Sequence, residues 1–185
     1  MIMTRPVKQG AQIWSSYGAK STCTWLLDYG FVLEGNEEHD CVAIRIAAIL
    51  PDSSQKTRAQ KMKLFAQLAE GKASLEVTLT DAAPLPDIML EAATVCRLTA
   101  AEAAAYSTRT ASVSASTRAA ALAMLQQLLE RRIAAIIAGV GHSEQLKAAQ
   151  EQGSLAVSPQ AMSAVYRAAC VRLLRRAQAA LLDVD

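Results

Sequence analysis

The sequence predicts a mainly α fold, in which a short mixed β/α segment is followed by a helical domain containing one small pair of strands. Hydrophobic residues make up 52% of the 185 residues but aromatic residues only 4%, so the apolar content is mostly alanine with leucine and isoleucine. Alanine has the highest helix propensity of any residue. From about residue 51 onward, apolar residues recur at helical spacing, and the one clear strand pattern in that part covers residues 74–80. A second strand pattern, over residues 41–50, lies just before it.

The first fifty residues contain several short elements. Residues 11–16 are typical of a short strand. The hydroxyl of Ser21 is placed to cap a short helix that runs to Tyr29, and Gly30 then ends that helix. Residues 41–50 are rich in β-branched side chains and are predicted to form a second strand.

The next two elements are predicted to be a helix and a strand. The residues from Pro51 to Ser54 open a helix that runs to about Glu70 and stops at Gly71. Its expected apolar face consists of Met62, Phe65, Ala66 and Ala69. Residues 74–80 alternate strictly, which points Leu75, Val77 and Leu79 inward and allows this strand to pair with residues 41–50.

Two helix starts follow. Pro84 and Pro86 precede a helix that runs to about Cys96. Thr99 and Glu102 have the spacing of a capping box for a short helix that ends near Tyr106. The Ser/Thr-rich residues 107–117 form either a loop or the entry to the next helix.

The remainder is predicted to be three helices. A long helix runs to about Ala138, with one apolar stripe made of Leu122, Leu125, Leu129, Ile133 and Ile136. Residues 143–152 form a shorter helix between glycines. The last helix has Ser158 as its cap and Pro159 at its first position, and it runs to about Leu182. One side of it is apolar, and the opposite side carries Arg167, Arg172, Arg175 and Arg176.

Charge and cysteine content exclude several classes of function. Nineteen basic and 17 acidic residues leave a net charge of +2, so neither a nucleic-acid nor a membrane partner is expected. A basic run on the first long helix is expected to be a solvated surface; it comprises Lys56, Arg58, Lys61 and Lys63, with Lys72 just beyond. Four widely spaced cysteines and two histidines predict reduced, mostly buried thiols and neither a zinc site nor a disulfide framework.

The densest cluster of distinctive residues lies before the second strand. The pairs Tyr17-Gly18 and Tyr29-Gly30 stand twelve residues apart in a chain with only four tyrosines. Phe31 follows the second pair directly, and Asn36 and Asp40 come shortly after. This order resembles the C-terminal end of the SET domain in the Rubisco large-subunit methyltransferase-like family, in which Ser-Tyr-Gly, a short helix and Tyr-Gly-Phe are followed by an Asn and an Asp.

The resemblance is tightest over residues 10–42 and continues more weakly through the helices. Leu85-Pro86 is similar to the start of the family's Leu-Pro helix, which leads to a Cys-Arg-Leu-Thr segment at residues 96–99. The family resemblance implies that residues 1–45 are a short β/α remnant of a SET domain, and that residues 46–185 are an all-helical substrate-binding domain. It also implies transfer of a methyl group from S-adenosylmethionine to a lysine or a histidine of a protein substrate.

The same resemblance implies roles for three aromatic residues. Tyr17 matches the family's catalytic tyrosine, Tyr29 matches a tyrosine that lines the substrate-lysine channel, and Phe31 falls where it can supply apolar wall. Methyl transfer needs alignment of the amine, the methyl group and the leaving sulfur in a dry polar channel, which a phenol can help to provide. The alternative is that all three rings only pack a small core.

The sequence also departs from the family. Thr22 and Thr24 stand where the family has Asn and Glu, and Trp25 replaces a leucine. The family's cofactor-binding elements, a Gly-rich turn and an Asn-His strand, have no counterpart here. We therefore expect a C-terminal fragment that does not bind S-adenosylmethionine well by itself; the resemblance implies a chloroplast or cytoplasmic location. The alternative is a non-enzymatic helical protein-interaction module with a vestigial SET tail.

Overall fold

A computed structural model of the protein describes residues 6–12, 17–33, 35–50, 54–106, 112–138 and 159–184. Helices account for 62% of the residues, so the prediction of a mainly α fold with a small β part is confirmed. A short first helix, α1, continues directly into a π-helical turn, and a 3₁₀ turn precedes the first strand. The elements in chain order are α1 (Thr22–Thr24), the π-helical turn (Trp25–Tyr29), the 3₁₀ turn (Glu37–His39), β1 (Cys41–Ala47), α2 (Gln55–Leu68), β2 (Ser74–Thr80), α3 (Asp87–Arg97), α4 (Ala100–Tyr106), α5 (Ala115–Ala138) and α6 (Pro159–Leu182).

Strands β1 and β2 form a two-stranded antiparallel sheet, which confirms the predicted pairing. The alternation of side chains places one face of each strand inward. The inward pairs are Val42 opposite Leu79, Ile44 opposite Val77, and Ile46 opposite Leu75. An isolated pair of strands is barely stable in water, so this apolar face must be covered by helices.

Helices cover the sheet and build the core. Helix α5 packs against both α3 and α6, α2 packs against α3, and α6 also contacts both strands. Side chains from different elements meet in one buried cluster, among them Phe65 of α2, Leu79 of β2, Leu129 of α5 and Leu173 of α6. Burial of each such side chain contributes roughly 1.5–3 kcal/mol. The core therefore fixes α6 relative to the sheet, and α6 is the helix that reaches the segment bearing the two Tyr-Gly pairs.

The predicted capping box at the start of α4 is present and also joins α4 to α5. The backbone N–H of Thr99 donates to Oε2 of Glu102 at 2.8 Å, and the N–H of Glu102 donates to Oγ1 of Thr99 at 3.2 Å. The same carboxylate accepts from the N–H of Ser114 at 2.8 Å and from the hydroxyl of Thr117 at 2.8 Å. One side chain therefore caps one helix and organises the entry to the next.

Two surface predictions need correction. On α2 and at its C-cap, Phe65 and Ala69 are buried as expected, but Met62 and Ala66 are only half-buried, and Leu64 and Lys61 are buried instead. Lys61 was predicted to be solvated, yet it is 3% exposed, and its ammonium group donates to the carbonyl oxygen of Cys96 at 3.4 Å. The physical reason is that its long aliphatic stem can pack in the core while the charged end finds an acceptor.

The arginine side of α6 is only partly free surface. Arg172 pairs with Glu37 and Asp40, and Arg176 pairs with Asp81 in the loop after β2. Periodicity located these arginines on one side of the helix but gave no sign of their partners. Helix α6 is thus attached to the rest of the molecule through charged groups as well as through its apolar side.

Some predictions fall outside the described residues. These include residues 13–16 of the first predicted strand, the helix over residues 143–152, and the capping Ser158. All four cysteines are free thiols, with Cys96 and Cys170 buried. Within the described ranges, no helix is long and apolar enough to cross a lipid bilayer.

Candidate functional site

Four aromatic side chains gather on the segment before β1, and we call them the aromatic cluster: Tyr17, Trp25, Tyr29 and Phe31. The Tyr17 and Tyr29 ring centroids are 5.3 Å apart, and the Trp25 and Tyr29 centroids are 5.0 Å apart. Phe31 stacks on Trp25 at 5.2 Å with an interplanar angle of 27°. The structure therefore brings together all three aromatic residues singled out in the sequence.

Local backbone geometry explains why these rings meet. The hydroxyl of Ser21 accepts from the N–H of Thr24 at 3.2 Å and starts the helix, as predicted. The chain then widens into the π-helical turn, which places Trp25 and Tyr29 on one face, and such turns are frequent at functional sites. Gly30 ends the turn with φ 75°, a left-handed conformation that favours glycine. The chain reverses there, and Phe31 folds back onto Trp25.

The rings differ in their exposure to solvent. Trp25 is 6% exposed and forms the base of the cluster, whereas Tyr29 and Phe31 are 39% and 38% exposed and Tyr17 is 62% exposed. Trp25 is therefore the one buried ring of the cluster, and the other three rings are in contact with solvent. The sequence pattern alone did not place Trp25 with these rings, although its spacing of four from Tyr29 was a usable signal.

A positive charge already lies against the cluster. The ammonium nitrogen of Lys20 lies 5.8 Å from the centroid of the Tyr29 ring. The negative face of an aromatic ring attracts cations, so this contact between Lys20 and Tyr29 is of the cation–π type. At the base, the indole N–H of Trp25 is buried and has no hydrogen-bond partner among the described residues.

A buried polar network holds the segment that carries the cluster. Oδ1 of Asp40 accepts from the backbone N–H of Thr22 at 2.9 Å, at the start of α1. The side-chain amide of Asn36 donates to the carbonyl oxygen of Lys20 at 2.9 Å, and it also contacts Thr22 Oγ1 and Asp40 Oδ1, each at 3.3 Å. Asn36 and Asp40 thus join the beginning and the end of the segment, so both residues flagged in the sequence have structural roles.

The network extends to the last helix. Arg172 of α6 donates from Nη2 to Oδ2 of Asp40 at 3.3 Å, and its Nη1 lies 3.1 Å from Oε1 of Glu37. Nearby on α6, burial raises the pKa of the Tyr166 hydroxyl, and hydrogen bonding with the thiols of Cys23 and Cys170 raises it further. That hydroxyl therefore stays neutral, and it connects α1 to α6 without serving as an anionic group.

The aromatic cluster is partly open to solvent. Sites for small molecules bury most of the ligand surface in a concave pocket. Here the aromatic cluster supplies a single wall, on which Tyr17 is the most exposed ring. Across the described part of the chain, no group of three or more His, Cys, Asp or Glu side chains is placed to hold a metal ion.

Comparison with known proteins defines the fold. No protein-family model matches the sequence, and no curated protein matches it. Solved structures do match, and three of them each have a TM-score of 0.55, 17% identity and 96% of this chain covered. The fold is therefore a SET-domain methyltransferase fold.

All three solved structures are of LSMT or Rubisco LSMT. They are the SET domain of LSMT bound to MeLysine and AdoHcy, Rubisco LSMT bound to Sinefungin and Monomethyllysine, and Rubisco LSMT bound to AdoMet. The resemblance to Rubisco LSMT found in the sequence is thus confirmed at the level of fold. This chain spans 41–42% of the length of those chains.

Proposed function

We propose that this chain supplies the catalytic tyrosine and the substrate-protein-binding domain of an S-adenosylmethionine-dependent protein N-methyltransferase that acts on a lysine or a histidine. The observation that carries the proposal is the aromatic cluster. Tyr17, Tyr29 and Phe31 are close together and partly exposed, in a fold related to that of Rubisco LSMT. Rubisco LSMT structures contain methylated lysine together with AdoHcy or Sinefungin, which supports a lysine side chain as the substrate group.

Each aromatic residue has a proposed role. Tyr17 presents a phenol oxygen that can accept a hydrogen bond from the incoming amine and hold it in line for attack. Tyr29 and Phe31 form the wall along which the aliphatic part of the substrate side chain lies. The position of the Lys20 ammonium near Tyr29 supports this assignment for the protonated substrate side chain, which must lose a proton to solvent before its nitrogen attacks the methyl group.

The domain arrangement is part of the proposal. Residues 1–45 would complete the catalytic domain, and residues 46–185 would hold the substrate protein. The boundary falls inside β1, whose partner β2 lies in the helical part. A shared strand would keep the substrate-binding helices at a fixed position relative to Tyr17, so that remote contacts with the substrate protein can place one side chain at the cluster.

The cofactor would be held mainly by residues outside this chain. S-adenosylmethionine, when bound, supplies an activated methyl group on a sulfonium sulfur. The single aromatic wall described above does not enclose a molecule of that size, and we therefore expect the chain alone not to bind it. Titration calorimetry of the chain with S-adenosylmethionine should show no heat of binding. Binding with a micromolar dissociation constant would contradict this part of the proposal.

A second candidate is a non-enzymatic protein-interaction module. Exposed apolar side chains favour it, since Leu27 is 75% exposed beside the partly exposed cluster, and apolar patches of this kind often contact other proteins. The two candidates differ in whether covalent change occurs. A protein partner that is bound but never methylated supports the interaction module.

The experiment that tests the proposal measures methyl transfer. The protein, together with the cofactor-binding part that the proposal requires, is incubated with a cell extract and S-adenosylmethionine labelled in the methyl group. The proposal predicts label in protein, and mass spectrometry should locate it on lysine or histidine side chains. Absence of label above a heat-inactivated control, from a preparation shown by calorimetry to bind the cofactor, would contradict it.

A further inference from the structure

We propose that Arg172, on the last helix, is a positioning residue for the aromatic cluster, which it holds in place through Asp40 and Glu37. The relevance of this inference to catalysis rests on the proposed function. The contacts within this chain alone support the structural part, which is that Arg172 holds the segment bearing Tyr17 and Tyr29 in one conformation.

The geometry makes Arg172 the link between two distant parts of the chain. Its two terminal nitrogens divide between two carboxylates: Nη1 lies 3.1 Å from Glu37 Oε1, and Nη2 lies 3.3 Å from Asp40 Oδ2. Asp40 in turn connects Arg172 to Thr22, because its other carboxylate oxygen accepts a hydrogen bond from the backbone N–H of Thr22 at 2.9 Å. Thr22 is the first residue of α1, and α1 leads directly into the π-helical turn that carries Trp25 and Tyr29.

Asp40 gives this contact its importance. It is only 5% exposed, and the described cation that contacts its carboxylate is Arg172. Loss of one partner from a buried charge pair is costly, because the remaining charge has been removed from water without compensation. Without Arg172, the charged Asp40 carboxylate is more stable if it turns toward solvent, where water can hydrate it. Since the same carboxylate holds Thr22 and contacts Asn36, that movement would release the start of α1 and the loop that Asn36 ties to Lys20.

The effect is expected to be local rather than global. Helix α6 remains fixed by buried apolar residues such as Leu173 and Ala177, which belong to the main core. None of the four rings of the aromatic cluster belongs to that core, and three of them are partly exposed. Removal of the Arg172 side-chain charge should therefore loosen residues 20–33 while the helices keep their structure.

The test compares Arg172→Met with Arg172→Lys and with a matched control. Arg45→Met removes an arginine from another ion pair, whose partners Arg45 and Glu76 are both largely exposed. Hydrogen exchange is followed by mass spectrometry at neutral pH and at a temperature well below the midpoint of thermal unfolding. Near-ultraviolet circular dichroism reports the packing of the aromatic rings. For Arg172→Met we expect exchange in residues 20–33 to become about tenfold faster, with exchange in α5 unchanged and the ring signal reduced.

Arg172→Lys should restore only part of the protection, because an ammonium group cannot make the divided contact with two carboxylates. Arg45→Met should match the unaltered chain throughout. Unchanged exchange in residues 20–33 together with an unchanged ring signal in Arg172→Met would overturn the proposal. So would equal acceleration in residues 20–33 and in α5, because that pattern means global destabilisation.

A second variant covers the case in which Arg172→Met does not fold. Glu37→Gln removes one of the two charge contacts at a side chain that is mostly exposed. It should produce a smaller acceleration of exchange confined to the same residues, and no change there would overturn the proposal. These measurements need neither cofactor nor substrate, so their failure is distinguishable from failure of the proposed enzymatic function.

Discussion

Arg172 and Asp40 are 132 positions apart in the chain, yet Nη2 of the arginine lies 3.3 Å from Oδ2 of the aspartate. The aspartate ends the segment that bears the aromatic cluster, and the arginine belongs to the final helix. The segment that bears the candidate site is therefore in direct contact with the final helix. These contacts connect the last helix to the segment that bears the tyrosines.

The first prediction concerns the charge of Asp40. Asp40→Asn keeps the size of the side chain but leaves Arg172 without its buried anionic partner. We expect the free energy of unfolding to fall by about 2–3 kcal/mol, since the loss of one member of a buried pair exceeds the value of a surface pair. Urea denaturation followed by far-ultraviolet circular dichroism measures it.

The control for Asp40 is Glu76→Gln, which breaks the exposed pair with Arg45. Exposed pairs contribute about 0–1 kcal/mol, so this variant should change little. If the free energy of unfolding fell equally in Asp40→Asn and Glu76→Gln, the burial of Asp40 would have no effect on stability.

The second prediction concerns pH and Glu102. Burial alone would raise the pKa of this carboxyl group. Hydrogen bonds from Thr99, Ser114 and Thr117 outweigh that effect and hold the pKa well below its usual range. A depressed pKa means that the stabilisation is fully present above about pH 4.5, the usual value for the group, and is lost as pH falls further.

Glu102→Gln should therefore lower the free energy of unfolding by about 1 kcal/mol at neutral pH, through loss of the charged cap. The difference between the variant and the unaltered chain should shrink as the solution is acidified through the carboxyl range. Denaturant titrations at several pH values check this. A difference that stays constant down to strongly acidic pH would contradict the role given to the ionised carboxylate.

The third prediction tests the core that carries α6. Leu129 is fully buried in α5, where that helix packs against α3 and α6. Leu129→Ala should cost about 2–5 kcal/mol through lost burial and the cavity that remains. Ile137 on the same helix is 49% exposed and serves as the control, so Ile137→Ala should cost clearly less. Similar midpoints in thermal unfolding for the two variants would show that α5 is not packed as described.

Local sequence patterns were sufficient to predict most of the elements. Alternation over residues 74–80 gave β2 with its bounds, and Ser21 and Gly30 correctly marked the two ends of the helical turn before β1. Thr99 and Glu102 correctly marked the start of α4. These features depend on residues within four or five positions of one another, where spacing alone carries the information.

The parts that could not be predicted depend on distant residues. Nothing near Arg172 in the sequence indicates a carboxylate partner more than a hundred residues earlier. The burial of Lys61 depends on the carbonyl oxygen of Cys96 on another helix. Trp25 looked like a departure from the family pattern, and only the π-helical turn shows that it supports Tyr29 and Phe31.

The central claim is that Tyr17 takes part in methyl transfer within the aromatic cluster, and kcat/KM for methylation of the substrate protein tests it most directly. The comparison is Tyr17→Phe against Tyr106→Phe, a half-buried tyrosine of α4 outside the cluster. Loss of one positioned hydroxyl should lower kcat/KM by about 10²–10³-fold in Tyr17→Phe, while Tyr106→Phe keeps the rate of the unaltered protein. Equal rates in all three proteins would contradict the claim and remove Tyr17 from the reaction.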